Sequence, residues 1–344
     1  MLGAPTQPRN LTGIARLAAA SPLIGGKRSV EYHELPSRSI LNRCASPRVP
    51  FRWTINPYRG CEFGCHYCYA RYAHEFMELD PREFDTRIFV KSFPTAMFRS
   101  EIAAVPREDH IAIGTATDPY QPAERRFRLT RRILEVLAEE KGLHLSITTK
   151  SDLIVRDIDL LQAISRASVL HVAFTVTTMD AALTRKLEPR APRPELRLGA
   201  LEALKASGVS TGVFMSPILP GLNDSEEQID AVGGAAFRAG ARYFGGNVLF
   251  LRASAAAVFF PFLERERPDL VRKYRTAFGL GSRLPQAYVE RIKARVDAVR
   301  LRHGLAPSPS DYQPQLWHGE PQLSLFPVDA IEYAAPHPAS LPCR

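Results

Sequence analysis

The chain has 344 residues, of which 45% are hydrophobic and 24% charged, and its net charge is +9. This composition is that of an ordinary globular protein; it excludes a mainly disordered chain, and no apolar run approaches the ~20 residues of a membrane-spanning helix. The positive charge permits a polyanionic partner. Five cysteines are too few for a disulfide scaffold. Because three of them lie within eight residues, we expect a metal site and a cytoplasmic protein.

Residues 1–50 carry scattered Pro, Gly, Ser and Arg and predict an irregular N-terminal lead-in. From residue 51 to about 250, short strand-like runs alternate with helix-like runs. The predicted strands cover 52–56, 111–116, 143–148, 170–177, 210–216 and 243–251, and the predicted helices cover 126–141, 157–167, 194–207 and 225–239. Three local signals support the helices: Pro194 in a first turn, Gly208 after a helix end, and Asp224 with Glu227 as a capping box.

This alternation implies parallel strands joined by right-handed crossovers. Six repeats predict an α/β fold, a partial (β/α)6 TIM-like barrel over residues 51–250, with its chemistry at the carboxyl ends of the strands. Residues 251–303 predict a C-terminal helical extension. Residues 304–344 form a proline-rich tail that we expect to be disordered.

The sharpest signal is the group Cys61, Cys65 and Cys68, a spacing with roughly one chance in a thousand of arising at random. Thiolates are soft ligands that hold zinc or iron–sulfur clusters. His66 or His74 would complete a Cys3His zinc site. Without a fourth protein ligand, one iron of a four-iron cluster would instead be open to a small molecule.

This spacing, with the aromatic Tyr67 before the last cysteine, resembles the radical S-adenosylmethionine (radical SAM) superfamily. The flanking segments 56–61 and 68–71 are similar to its spore photoproduct lyase-like branch, which is DNA repair photolyase-like. Segments 115–120, 148–150, 187–189 and 216–218 follow in the order of that branch, so the resemblance covers about residues 50–250. It implies a [4Fe–4S] cluster on the three cysteines, SAM on the fourth iron, an external electron donor, and cleavage of SAM to a 5′-deoxyadenosyl radical.

The resemblance also implies roles for single residues: Tyr67 and Tyr69 as catalytic residues, and Tyr67, Thr117, Asp118, Lys150 and Thr175 as cofactor-binding residues. Tyr67 corresponds to an aromatic beside the adenine, and Tyr69 to a tyrosine linked to hydrogen transfer. Lys150 corresponds to a lysine that pairs with the SAM carboxylate. Each has a structural alternative, such as an ordinary turn residue for Asp118 before Pro119.

One position departs from the branch. Spore photoproduct lyase returns a hydrogen atom from a cysteine on the second strand, and Thr115 stands at that position here. A hydroxyl is a much poorer hydrogen-atom donor than a thiol, so we do not expect the same reaction route. Cys44 would substitute if the lead-in folds over the mouth of the barrel; the alternative is a small buried hydrophobic residue.

Two arginine groups are predicted near the mouth. They are Arg125, Arg126, Arg128, Arg131 and Arg132 after the second strand, and Arg190, Arg193 and Arg197 after the fourth. Such groups favour an anionic substrate, with nucleic acid as the obvious class. The alternative is a solvated helix face.

Within the tail, Gln322, Leu323, Leu325 and Phe326 are similar to the bacterial sliding-clamp-binding motif. A short segment with one polar anchor and several apolar side chains can fill pockets on a partner. The alternative is a segment that docks on its own core.

The sequence therefore predicts a cytoplasmic radical SAM enzyme that acts on nucleic acid, in repair or modification. Two alternatives stay open. One is radical chemistry on a peptide or a small anionic substrate. The other is a non-catalytic Cys3His zinc module that binds DNA or a partner.

Overall fold

The computed structural model describes residues 11–47, 49–279 and 281–309. The predicted disordered tail beyond residue 309, with the clamp motif formed by Gln322, Leu323, Leu325 and Phe326, lies outside these described residues. Among the described helices, none combines the length and the apolar character that crossing a membrane requires.

The described part of the chain contains eleven β-strands and twelve α-helices. In chain order they are α1 (Gly13–Ala19), β1 (Leu23–Lys27), β2 (Val30–Pro36), β3 (Leu41–Arg43), β4 (Trp53–Ile55), β5 (Tyr58–Arg59), α2 (Tyr72–Glu75), β6 (Arg87–Ser92), α3 (Thr95–Ala103), β7 (His110–Ile113), α4 (Ala123–Phe127), α5 (Leu129–Ala138), β8 (His144–Thr149), α6 (Ile158–Ala167), β9 (Val169–Thr175), α7 (Ala181–Leu187), α8 (Pro194–Ala206), β10 (Ser210–Ile218), α9 (Glu226–Arg238), β11 (Tyr243–Val248), α10 (Ala253–Glu266), α11 (Pro268–Phe278) and α12 (Gln286–His303). Short 3₁₀ helices cover Tyr69–Arg71, Pro81–Asp85 and Asp152–Asp157.

The larger sheet has seven strands in the order β11-β10-β9-β8-β7-β4-β3. Six of these strands are parallel, namely β4, β7, β8, β9, β10 and β11. Strand β3 pairs antiparallel with β4 at one edge. These six parallel strands correspond to the six predicted strands, which confirms the α/β class. Within the described residues no pairing joins β11 to β3, so the sheet is open and no closed barrel forms.

Helix ends follow the local sequence signals in two of three places. Pro194 is the first residue of α8, and Gly208, just after this helix, has a positive φ of 79° that favours glycine. The predicted capping box is wrong by one residue. The side chain of Ser225, not of Asp224, accepts from the backbone N–H of Gln228 at 3.3 Å. The carboxylate of Asp224 bonds outside the helix instead.

The helix predicted over 126–141 is two helices, α4 and α5, separated by Arg128 with a φ of 51°. The break arises because the buried carboxylate of Glu124 accepts from the backbone N–H of Thr130 at 2.8 Å and so caps the second helix. The sequence does not show this break, because the residue in the left-handed conformation is an arginine and no glycine or proline marks the position.

The prediction of an irregular N-terminal lead-in is wrong for the described residues. A second sheet has the order β1-β2-β6-β5, with β2 and β6 parallel. Strand β2 buries Val30, Tyr32 and Leu35, and a tight hairpin at Arg28, with a φ of 45°, joins it to β1. The sequence did not reveal this strand, because its short alternation of buried and exposed residues lies among scattered Gly, Pro and Ser residues. The sheet matters for the site because β5 leads directly into the cysteine loop, residues 60–68.

The predicted C-terminal helices are α10, α11 and α12. They contribute to a second hydrophobic core, in which Phe63 and Tyr67 of the cysteine loop pack with Phe259, Phe262 and Tyr274. The helical extension therefore covers one side of the loop.

The entry to the cysteine loop gives a stability prediction. Gly60 has a φ of 85°, and a Cβ there would lie 2.8 Å from the carbonyl oxygen of Phe84. We expect Gly60→Ala to lower the free energy of unfolding by about 3 kcal/mol, because strain and a backbone clash add. Gly208→Ala is the matched control, since its φ is similar but its Cβ meets nothing within 4 Å, and it should cost about 1–2 kcal/mol. Urea unfolding measures the free energy of unfolding of both variants. Equal losses would show that the backbone clash at Gly60 adds nothing to the conformational strain.

Candidate active site

The three clustered cysteines lie on a buried loop between β5 and the 3₁₀ helix Tyr69–Arg71. Cys61 and Cys65 are each 8% exposed, and Cys68 is half-buried. Burial raises the pKa of Cys61 well above its ordinary value and that of Cys65 to about 12. Thiolates in this loop therefore need a positive centre such as a metal to form.

The donor set fits an iron–sulfur cluster better than a single ion. Within the described residues no three His, Cys, Asp or Glu side chains are arranged around one metal ion. A zinc ion needs four ligands at ~2.0–2.3 Å, whereas each cysteine of a four-iron cluster binds a different iron. Three thiols spread along one loop suit the second arrangement.

Within the described residues neither histidine proposed as a zinc ligand joins the cysteines in a group that could hold a metal ion, although the Nδ1 atoms of both rings are buried without a hydrogen-bond partner. His74 is completely buried, and its Nε2 lies 3.0 Å from the carbonyl oxygen of Arg87. Its ring packs edge-on against Phe84 and Phe89. Burial lowers the pKa of His74 to about 4, so the ring is neutral. His66 stacks on a phenylalanine of α10.

Thr117 holds the backbone of the cysteine loop. Its hydroxyl donates to the carbonyl oxygen of Gly60 at 2.6 Å and accepts from the side chain of Gln121 at 2.9 Å. The amide of Gln121, which is completely buried, also donates to Gly60 and accepts from the backbone N–H of Glu62 at 3.0 Å. Gln121 was missed from the sequence because a single glutamine in a turn carries no pattern.

Two arginines hold the other side of the same loop. Arg190 donates from Nε to the carbonyl oxygen of Glu62 at 2.5 Å, and Arg71 donates to that of Cys65 at 3.3 Å. Both guanidinium groups also pair with the carboxylate of Asp85. The N-terminal sheet adds a further contact, because Lys27 pairs with the buried carboxylate of Glu62 at 2.6 Å.

Asp118 joins the carboxyl ends of β7 and β8. Its carboxylate accepts from the backbone N–H of Tyr120 at 2.9 Å, the hydroxyl of Thr149 at 2.7 Å and the backbone N–H of Lys150 at 2.7 Å. These bonds are those of a turn residue that fixes the strand end. Its role toward the amino group of SAM stays a prediction.

Tyr67 and Lys150 meet above a buried ion pair. The hydroxyl groups of Tyr67 and Thr177 donate to the carboxylate of Glu188, which also pairs with Arg197, and all four side chains are buried. The ammonium nitrogen of Lys150 lies 5.8 Å from the centroid of the Tyr67 ring. Burial alone would raise the pKa of Glu188, but Arg197 and Lys150 hold it below its ordinary value.

Thr175 lies at the carboxyl end of β9, where the sequence predicts it. It is buried, and its carbonyl oxygen accepts from Arg197 at 2.9 Å. The structure thus brings Tyr67, Lys150 and Thr175 to one end of the sheet through a shared network around Glu188. Leu187-Glu188-Pro189 appeared in the sequence only as a family-like segment, so the role of Glu188 was missed.

Tyr69 lies beside the position where the branch has a cysteine. Its side chain is 42% exposed, and its hydroxyl donates to the carbonyl oxygen of Thr115. The amide of Asn56 donates to the hydroxyl of Thr115 at 3.1 Å and accepts from the backbone N–H of Ala116 at 2.7 Å. A phenol therefore stands next to Thr115.

The suggestion that Cys44 replaces the missing thiol is wrong. Its backbone N–H donates to the carbonyl oxygen of Arg52 at 2.7 Å, beside the amino end of β4. The cysteine loop is near the carboxyl ends of the strands. Because β3 runs antiparallel to β4, the chain carries Cys44 to the opposite end of the sheet.

Three of the eight arginines predicted to face a substrate pair with acidic side chains of the protein. Arg197 is completely buried in its pair with Glu188, Arg190 holds the cysteine loop, and Arg131 pairs with Asp157 at 2.9 Å. For these three the prediction is wrong, because their acidic partners are distant in sequence or not recognisable from it. Arg126 is exposed but donates to the carbonyl oxygen of Ile24 at 3.0 Å. The other exposed members without an acidic partner among the described residues are Arg125, Arg128, Arg132 and Arg193.

Residues 55–231 match the family model of the radical SAM superfamily. The chain belongs to the radical SAM superfamily. An uncharacterized protein of Mycobacterium tuberculosis is 35% identical over 335 residues, which cover 95% of this chain and 96% of that protein. An uncharacterized protein of Methanocaldococcus jannaschii is 32% identical over 198 residues, covering 57% of this chain and 71% of that one.

Among solved structures, the fold is similar to spore photoproduct lyase complexed with dinucleoside spore photoproduct. The TM-score is 0.63 at 14% identity, with 88% of this chain and 85% of that chain covered. Family membership makes this chain a radical SAM enzyme, and the alternative of a non-catalytic zinc module is wrong. The likeness to the lyase supports the fold.

The buried pair of Glu188 and Arg197 gives a prediction. Glu188→Gln leaves a buried guanidinium without its counter-charge, and we expect a loss of about 3–5 kcal/mol in the free energy of unfolding. Urea unfolding under anaerobic conditions measures it. Glu139→Gln is the matched control, because its pair with Arg99 is about half exposed and water screens it. A similar loss of unfolding free energy in both variants would contradict the expectation that the buried pair stabilises the protein more than the exposed one.

Proposed function

We propose that this radical SAM enzyme cleaves SAM at a [4Fe–4S] cluster and acts on nucleic acid, in repair or modification. The observation that carries the proposal is the buried loop of three cysteines beside Lys150 and Tyr67 at the carboxyl end of a parallel sheet. We interpret the open six-strand ladder as the partial (β/α)6 barrel of the family. A reducing compartment, the cytoplasm, keeps these thiols available for a cluster.

Cys61, Cys65 and Cys68 would hold the cluster, which supplies the electron that cleaves SAM. Lys150 carries a positive charge next to Tyr67 and the cysteine loop, so it suits the carboxylate of SAM. The ring of Tyr67 is fixed by its hydrogen bond to Glu188 and suits the adenine. Thr117, Asp118 and Thr175 order the surrounding backbone, as their hydrogen bonds indicate.

An aromatic surface beside the cysteine loop favours a nucleic acid substrate. Tyr69 and Tyr72 stack with 6.2 Å between ring centroids, and Phe76, which is 61% exposed, meets Tyr72 edge-on at 5.5 Å. The guanidinium of Arg252 lies 4.7 Å from the centroid of Tyr72. Aromatic rings combined with arginine are the usual platform for unpaired bases. A small anion would leave these stacked rings without a partner, and a peptide is the alternative substrate class.

We further propose Tyr69 as the hydrogen-atom donor on the substrate side. Its hydroxyl lies against Thr115, where the branch has a cysteine, and the side chain is partly exposed. No thiol of the described residues other than the three clustered cysteines lies at this end of the sheet. The O–H bond of Tyr69 would break as a C–H bond forms on the substrate radical, and the external electron donor with a proton from solvent would restore the phenol.

The tail is proposed to recruit the enzyme to a replication clamp. This rests on the pattern of Gln322, Leu323, Leu325 and Phe326 alone.

Removing one cysteine tests the cofactor proposal. Anaerobically purified protein should contain about four irons and four sulfides per chain and release 5′-deoxyadenosine from SAM under a strong reductant. Cys65→Ala should lose both iron and cleavage, because a thiol ligand is gone. Cys44→Ala, at the opposite end of the sheet, is the control and should keep both. Wild-type protein that contains only stoichiometric zinc and leaves SAM intact would overturn the proposal.

Binding to oligonucleotides tests the substrate class. We expect the wild-type affinity for single-stranded DNA, damaged or undamaged, to fall as salt rises. Tyr72→Ala should weaken binding by about 1–3 kcal/mol, since one stacking ring is lost. Phe237→Ala removes an exposed aromatic of α9 and should have no effect. Fluorescence anisotropy measures these affinities, and binding that is independent of salt and of Tyr72 would contradict a nucleic acid substrate.

A further inference from the structure

Two basic side chains project from the same face of the smaller sheet. In the antiparallel pairing of β5 with β6, Arg59 lies opposite Phe89. Lys91 follows two residues later on β6 and therefore shares this face. The side chain of Lys91 is 6% exposed, and Arg59 is half-buried.

Neither cation has an acidic partner. Among the described residues no carboxylate forms an ion pair with Arg59 or Lys91, and the buried Nε of Arg59 has no hydrogen-bond partner. Burial and the charge of Arg59 lower the pKa of Lys91 to about 7. Two like charges thus share one partly buried space.

The acids of the adjoining 3₁₀ helix do not compensate them. Asp85 is paired with Arg71 and Arg190, and Glu83 lies 3.6 Å from Arg87. Burying a charge is unfavourable unless an opposite charge or hydrogen bonds replace its water. The folded protein therefore keeps an unbalanced positive site, which an anion from solution would relieve.

This site adjoins the cysteine loop and the aromatic surface. Arg59 comes two residues before Cys61 in the chain. Arg59 and the neutral phenol of Tyr72 are electrostatically coupled neighbours, and Tyr72 stacks on Tyr69. A ligand whose base stacks on these rings would bring a neighbouring phosphate toward Arg59.

We propose that Arg59 and Lys91 form an anion subsite that binds a phosphate group of the substrate. The identification of that phosphate as a backbone phosphodiester of nucleic acid rests on the proposed function. Arginine offers two parallel donors to phosphate oxygens, and lysine adds a point charge. The subsite fixes the distance between the bound backbone and the cysteine loop.

Thermal unfolding with matched anions tests the subsite. The wild-type full chain is melted at constant ionic strength with chloride, with inorganic phosphate, with the thymidine dinucleotide TpT, and with its uncharged methylphosphonate analogue. We expect phosphate and TpT to raise the melting temperature and the analogue to have no effect.

Lys91→Met should melt at a higher temperature than wild type in chloride, because an unpaired buried charge is removed, and should bind TpT at least tenfold more weakly. Lys141→Met, at an exposed lysine, is the control and should behave as wild type. Arg59→Gln gives a second test if Lys91→Met does not fold. An unchanged anion response in both subsite variants would overturn the subsite, and a response to inorganic phosphate but not to TpT would overturn the nucleic acid assignment.

These outcomes are separate from the proposed function. SAM cleavage by the wild-type enzyme without substrate is measured in parallel. If cleavage fails while the anion response depends on Lys91, the radical proposal fails and the subsite stands. If cleavage succeeds and no anion responds, the reverse holds.

Discussion

The structure of the site depends on how one buried, irregular loop satisfies its backbone. Residues 60–68 form no strand or helix over most of their length, so their N–H and C=O groups need partners from elsewhere. Thr117 and Gln121 supply them from the end of β7, and Arg190 supplies them from the segment after α7. Further bonds run from the backbone N–H of residue 61 to Phe84 and from that of residue 66 to Leu187. The thiols are therefore positioned by several separate segments at once.

The same constraint explains why an arginine that the sequence assigns to substrate binding instead stabilises the protein interior. A carboxylate buried beneath the loop, Glu188, orients Tyr67 but needs a counter-charge, and Arg197 provides it. This guanidinium also binds the carbonyl oxygen of Thr175, which links the end of β9 to α8. Fewer of the predicted arginines are therefore left to bind a substrate than the sequence indicates.

Regular features were predictable from the sequence and side-chain partnerships were not. The six parallel strands follow from alternating apolar runs, and Gly208 and Pro194 mark helix ends by local conformational preference. Strand β2 has only a short alternation among turn residues, so its pairing with β6 is decided by tertiary contacts. Gln121 has no local signal because its function is to reach a backbone 59 residues away. For the site, the cysteine spacing identified the loop, whereas the network that fixes it required the fold.

The departure at Thr115 bears on how the family chemistry is adapted. Apart from the three clustered cysteines, the described residues place no thiol at this end of the sheet, and the phenol of Tyr69 is bonded to the backbone of Thr115. Tyr69 in turn stacks on Tyr72, which is close to Arg59. One continuous surface thus runs from the cysteine loop through two rings to unpaired cations. The proposed nucleic acid substrate, with its alternating bases and phosphates, matches this alternation of ring and charge, whereas a peptide without acidic side chains would leave the cations unpaired.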